Sequence, residues 1–322
     1  MTDVVRVAAI DCGTNSIRLL IADVDPLRGD LTDVDRRMEI VRLGQGVDKT
    51  GRLAADALAR TLRVLEDYAA AIARRSASAV RFVATSATRD AANAAEFVHG
   101  VEEVLGIVPE VLTGDEEARL SFAGATTELV RAAEPPASPC LVVDIGGGST
   151  EFVLGDMGGG SAAPEVSAAV SVDIGCVRLT ERHLHGDPPT GEQLAAASAD
   201  IDSALDEAAS KVPVRRARTL VGLAGSVTTV AGIALGLPAY DSARIHHARI
   251  PAGQVHAVTW RLLAQTRAER ATIGVMHPGR IDVIGAGALV LDRIVARFGF
   301  DAVAASEHDI LDGIAWSMVS PG

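Results

Sequence analysis

Apolar residues come in short unbroken runs along the first 24 positions, and the runs are interrupted once. Residues 6–24 therefore read as two buried strands joined by a loop. Residues 38–44 predict a third strand, which would complete a meander. Leu58, Leu62, Leu65, Tyr68 and Ile72 recur at helical spacing and predict an amphipathic helix over about 54–75. A short strand at 80–84, a helix at 93–105 and a strand at 107–112 follow. Thr113 and Glu116 have the spacing of a capping box, which opens a helix through Ala118, Phe122, Ala125 and Leu129. Ala132 to Pro139 is rich in proline and alanine and reads as a linker.

The same pattern then restarts. Strands are expected at 140–145, 150–155 and 166–173, with Gly158-Gly159-Gly160 as a turn before the third. A helix begins at 175. Thr190 and Gln193 form a second capping box ahead of a long alanine-rich helix. A strand at 219–223 leads into a helix at Gly225. An almost wholly apolar helix is expected at 279–298, and Ser306 to Asp309 cap a final helix to about 319. Each half thus reads strand–loop–strand–strand, then alternating helix and strand, an internal duplication of an α/β unit with a mixed sheet.

The two strand–loop–strand segments also match in chemistry. Asp11, Gly13 and Ser16 align with Asp144, Gly146 and Ser149, with apolar runs on both sides. In the first loop, Gly13 permits positive φ, and Thr14, Asn15 and Ser16 supply side-chain donors; an ordinary hairpin turn explains the same residues. The second loop is more specific. Gly146, Gly147 and Gly148 remove side chains from one face, whereas a hairpin needs only one or two glycines. Successive N–H groups in such a turn can cradle phosphate oxygens, with Ser149 adding a hydroxyl. Asp144 repels an anion, and its natural partner is Mg²⁺, with Mn²⁺ as an alternative. Asp11 and Glu151 are placed to hold waters of the same ion, although Asp11 alone also reads as a residue capping its own turn. Gly225 and Ser226 sit at a strand-to-helix junction suited to a ligand, a weak signal by itself. Neither a G-x-x-x-x-G-K-[ST] loop nor a G-x-G-x-x-G loop is present.

Composition narrows the field. The 322 residues suit two domains, and 48% hydrophobic content suffices for two cores. A formal charge of −12 argues against nucleic acid and acidic membranes as partners. A polyanionic substrate therefore requires a locally positive site. Three cysteines, Cys12, Cys140 and Cys176, without a C-x-x-C pair fit a reducing cytoplasm. The sequence shows neither a signal pattern nor an apolar span long enough for a bilayer. His183/His185 and His246/His247 lack a carboxylate cluster at ligand spacing and read as solvated or packing residues.

These motifs resemble the actin-like ATPase superfamily, whose two ribonuclease-H-like domains each offer a D-x-G loop to phosphates. Within it, the chain resembles the exopolyphosphatase / guanosine pentaphosphate phosphohydrolase family over nearly its whole length. The carriers are Asp11 to Leu19, Thr88-Arg89, Gly114 to Leu120, Asp144 to Glu151, Asp173 to Leu179 and Gly222 to Thr229. The resemblance implies two ribonuclease-H-like domains with mixed sheets and an interdomain cleft. The first would comprise 1–132, joined by the C-terminal helix 305–322, and the second 133–304. It also implies Mg²⁺-assisted water attack on a terminal phosphoryl group.

By motif position the general base falls on Glu117, and Arg89 falls on a substrate phosphate. The capping box occupies Glu116, and neighbouring helical residues point apart, which favours Glu117 over Glu116. The bland alternative is that Asp115, Glu116 and Glu117 only complement the helix dipole. Arg89 also fits a surface arginine, and Arg18 could reach phosphate or stay solvated. The substrate implied is inorganic polyphosphate of short chain, or guanosine pentaphosphate, which would connect the chain to the stringent response. Relatives often dimerise, which leaves a homodimer open. One departure stands out: the family's Ser-Glu-Arg-Gly-Leu-Arg-Glu-Gly reads Ser306-Glu307-His308-Asp309-Ile310-Leu311-Asp312-Gly313 here, with both arginines gone. The rivals are a kinase or ATPase of the same superfamily and a non-catalytic sensor of polyphosphate or guanosine tetra- or pentaphosphate.

Overall fold

The computed structural model describes residues 4–130, 135–158 and 164–319. Two compact units emerge, one from Met1–Gly124 and Ile310–Gly322, the other from Ala125–Asp309. The first holds a five-stranded sheet built from β1 (Val5–Cys12), β2 (Ser16–Asp25), β3 (Asp30–Ile40), β4 (Ala79–Ala84) and β5 (Glu110–Val111). Its order is β3-β2-β1-β4-β5, with β1, β2 and β3 antiparallel and β1, β4 and β5 parallel.

The second unit contains β6 (Cys140–Ile145), β7 (Thr150–Asp156), β8 (Glu165–Val172), β9 (Thr219–Leu223), β10 (Arg249–Pro251) and β11 (Ala302–Ala305). Its order, β10-β11-β9-β6-β7-β8, repeats the first from β8 inward and adds the antiparallel edge strand β10. Two mixed sheets and the duplication are thus the α/β class expected from the sequence.

The unbroken apolar runs reflect sheets buried on both faces. On β1, Ala8, Ile10 and Cys12 pack with Leu58, Leu65 and Tyr68 of the helix Ala55–Arg75 and with Phe97 and Val101 of Ala94–Leu105. The alternate residues Val7 and Ala9 face the other way, against Ile310, Leu311 and Ile314 of the helix Ile310–Ser317. In the second unit one large core joins β6 and β7 to the helices Gly191–Lys211, Ala252–Ala264 and Ile284–Phe298.

Several boundaries differ from expectation. The third strand spans Asp30–Ile40 rather than 38–44, because this sheet-edge strand is polar and carries no apolar run. Residues 41–44 instead brace the first loop. The strand expected over 107–112 contracts to Glu110–Val111. The helix expected from 279 begins at Ile284, preceded by a 3₁₀ turn at Pro278–Arg280. Ala305 ends β11, so the last helix starts at Ile310 and not at 305. The helix Ala252–Ala264 and strands β10 and β11 were not foreseen. Linker positions 132–134 and turn positions Gly159 and Gly160 lie outside the described residues. No helix among the described residues is long and apolar enough to cross a membrane.

Candidate active site

The two glycine-bearing loops close in the same way. The Gly13 N–H donates to the Ser16 carbonyl at 2.9 Å, and the Gly146 N–H to the Ser149 carbonyl at 3.0 Å. Neither Gly13 nor Gly146, Gly147 or Gly148 takes a positive φ, which corrects the reading of Gly13. The turns follow ordinary backbone conformations, and the glycines contribute absent side chains. Among the described residues, the N–H groups of Thr14, Asn15, Gly147 and Gly148 donate to no backbone carbonyl.

Each loop is held from behind by its own unit. The Asn15 carbonyl accepts from the N–H groups of Val41 and Arg42, and the Thr14 carbonyl from that of Gly44. The Thr14 and Ser86 hydroxyls lie 2.9 Å apart. In the second unit the Gly146 carbonyl accepts from the Cys176 N–H, and the Gly147 carbonyl from those of Val177 and Arg178. This seats the loop on the start of the helix Cys176–His183. A Cβ at Gly175 would lie 2.4 Å from the Gly147 carbonyl oxygen, so the contact requires glycine there.

Carboxylates divide the two loops. Asp11 stands opposite Arg18 across the β1–β2 ladder, and Arg18 Nη2 reaches its Oδ2 at 2.6 Å. Asp144 stands opposite Glu151 at the equivalent place on β6 and β7. Both acids are buried, at 8% and 1% exposure, and Ser171 donates its hydroxyl to Glu151 at 2.7 Å. Like charges facing each other on adjacent strands are unfavourable. The second loop thus places two buried carboxylates, oxygen donors of the kind a hard divalent cation takes, where the first has an acid paired with Arg18.

Arg89 and Glu117 are brought together. Arg89 Nη1 donates to Glu117 Oε2 at 3.1 Å and to the Leu112 carbonyl at 2.9 Å. Glu117 is 8% exposed. Its neighbour Glu116 accepts the Thr113 N–H, which holds its carboxyl below the usual range, and Thr113 accepts the Glu116 N–H in return. The capping box thus occupies Glu116 and leaves Glu117 on a different face.

Gly225 and Ser226 are differently engaged. The Arg280 guanidinium lies against Gly225, where a Cβ would meet it at 2.0 Å, and donates to the Gly225 carbonyl at 3.3 Å. Ser226 is buried, packs on Gly287 and hydrogen-bonds the Cys176 thiol. Burial pushes that thiol up to about 11. Arg280 was missed because a lone arginine after His-Pro-Gly carries no motif. His308 and Glu128 were also missed. His246 was read as solvated or packing, but all three side chains meet.

Comparison with known proteins agrees with this architecture. The model of the Ppx/GppA phosphatase family matches residues 20–321. Exopolyphosphatase 2 of Mycobacterium tuberculosis is 51% identical over 97% of this chain and 98% of its own length. A crystal structure of an exopolyphosphatase-like protein is 46% identical, with a TM-score of 0.91 over 98% of each chain. The Ppx/GppA family member from Aquifex aeolicus is 32% identical, with a TM-score of 0.79 over 98% of each chain. The chain belongs to the Ppx/GppA phosphatase family. It is an enzyme of the exopolyphosphatase-like class.

Proposed function

We propose that this enzyme releases terminal phosphate from inorganic polyphosphate of short chain, with Glu117 as general base and Mg²⁺ at Asp144 and Glu151. The observation that carries the metal assignment is the buried carboxylate pair Asp144–Glu151, set where the duplicate loop has Asp11–Arg18. When bound, Mg²⁺ would neutralise charge developing on the phosphoryl oxygens.

The rest of the chemistry falls to the chain itself. In the first unit the N–H groups of Thr14 and Asn15 with the Ser16 hydroxyl, and in the second those of Gly147 and Gly148 with the Ser149 hydroxyl, each supply donors for phosphate oxygens. Arg89 holds the Glu117 carboxylate in one orientation and keeps further donors for a phosphate. Glu117 accepts the proton of the attacking water. Phosphoryl transfer asks mainly for positioning and charge stabilisation, which such fixed groups provide. The similarity to exopolyphosphatase 2 supports polyphosphate over a nucleotide.

The test is phosphate release with Mg²⁺ from short polyphosphate, long polyphosphate, guanosine pentaphosphate and ATP, side by side. Short polyphosphate should turn over fastest. Faster release from guanosine pentaphosphate would move the assignment to that substrate. Phosphoryl transfer from ATP to an acceptor would indicate a kinase, and tight binding without turnover a sensor.

A further inference from the structure

Glu128, His246 and His308 come from three distant segments of the second unit and meet at one point. Glu128 Oε2 lies 3.3 Å from His246 Nε2 and 2.9 Å from His308 Nδ1. The three atoms all fall within 4.8 Å of one another. The backbone builds this meeting. The His247 N–H donates to the Ala305 carbonyl at 2.7 Å, and the Ala305 N–H to that of Ala248 at 2.9 Å. The β10–β11 pairing thereby continues past the strand ends and sets His246 beside residues 306–308. The His246 and His308 rings stack with centroids 4.7 Å apart. Ser306 fixes His308 by accepting its N–H and donating to its carbonyl. The His247 ring lies against that of His246 at a tilt, with centroids 3.7 Å apart, and its buried Nε2 makes no hydrogen bond.

We propose that Glu128, His246 and His308 bind a transition-metal ion of the Zn²⁺ class. Two imidazoles and one carboxylate suit zinc, nickel or copper and not magnesium. A tetrahedral Zn²⁺ with ligands at about 2.0–2.1 Å spaces them roughly 3.3 Å apart, close to the two separations from Glu128, 3.3 and 2.9 Å. Three protein ligands leave the fourth position to water. One adjustment is required. His246 Nδ1 accepts the Glu307 N–H at 3.1 Å, so the ring proton sits on Nε2. Metal on Nε2 moves that proton to Nδ1 and turns the Glu307 N–H away, a cost of about tenfold in affinity. The bound ion would tie Glu128 to the loops carrying His246 and His308. None of this depends on the phosphatase reading.

The experiment is a Zn²⁺ titration of metal-stripped protein in excess Mg²⁺, against a competing chromogenic chelator. One equivalent should bind, and His246→Gln and His308→Gln should each weaken it by about tenfold or more. Co²⁺ in place of Zn²⁺ should give the visible absorption of a tetrahedral nitrogen–oxygen site in the wild-type protein. Absence of stoichiometric Zn²⁺ uptake, or uptake unchanged in both variants, would overturn the proposal. Should either variant fail to fold, the wild-type Co²⁺ spectrum decides: without a tetrahedral band the site does not exist.

Discussion

Asp144 and Glu151 face each other across the β6–β7 ladder, both buried, on the two strands that flank the triple-glycine turn. Glu151→Gln removes one of the two charges while keeping the shape and the Ser171 hydrogen bond. The Mg²⁺ concentration for half-maximal phosphate release should rise about tenfold or more. A Mg²⁺ titration of turnover checks this, and an unshifted midpoint would remove the pair from metal binding.

Glu117→Gln keeps volume and removes the base. Phosphate release should fall by about 10²–10⁴-fold, with polyphosphate binding largely intact. Single-turnover kinetics and a binding assay separate the two effects. A variant with near wild-type turnover would exclude Glu117 as the base.

Gly175→Ala places a methyl group 2.4 Å from the Gly147 carbonyl oxygen. The loop cannot keep its seat on the helix Cys176–His183. We expect a raised KM for polyphosphate and a stability loss of about 1–3 kcal/mol. Calorimetry and steady-state kinetics on the same sample test both.

Arg36 on β3 donates to Asp312 on the final helix at 2.5 Å, and Asp312 is fully buried. Arg36→Met removes the ion pair from that buried carboxylate and should destabilise the first unit by about 3–5 kcal/mol. Arg36→Met with Asp312→Leu should recover much of the loss. Denaturant melts of the single and double variants measure the difference.

Burial pushes the Cys140 thiol up to about 12 and the Cys176 thiol up to about 11. The unfolded chain ionises these thiols near 9, ahead of the folded chain. Their contribution to stability is therefore complete below pH 9 and declines as pH climbs toward 11–12. Denaturant midpoints across pH 8–11 should show that decline. At pH 8 a thiol reagent should label the folded protein slowly and the unfolded protein at once.

Where side chains face a core, the sequence declared the structure. The runs through Ile10 and Val143, the helix around Leu65 and the capping boxes at Thr113 and Thr190 all follow from local periodicity. Strand β3 escaped because an edge strand with one wet face needs few apolar residues. Helix Ala252–Ala264 begins without a cap motif, after Pro251. Within the candidate site, the aligned aspartates and glycines were legible as a repeat. The contrast between Arg18 and Glu151 gained meaning only from strand register, which makes each the direct neighbour of an aspartate. Arg280 and the Glu128–His246–His308 cluster arise from contacts between segments far apart in the chain, and no local pattern encodes them.

The face of β1 and β2 that carries Val7, Ala9 and Leu20 is covered by Ile310, Leu311 and Ile314. During synthesis β1 and β2 must wait for residues 310–314, about 300 positions further along, before that face is sealed, on the order of tens of seconds at ordinary elongation rates. A stop codon shortly before Ile310 would leave a sticky surface on β1 and β2, so those strands are sheltered only once the helix Ile310–Ser317 has been made.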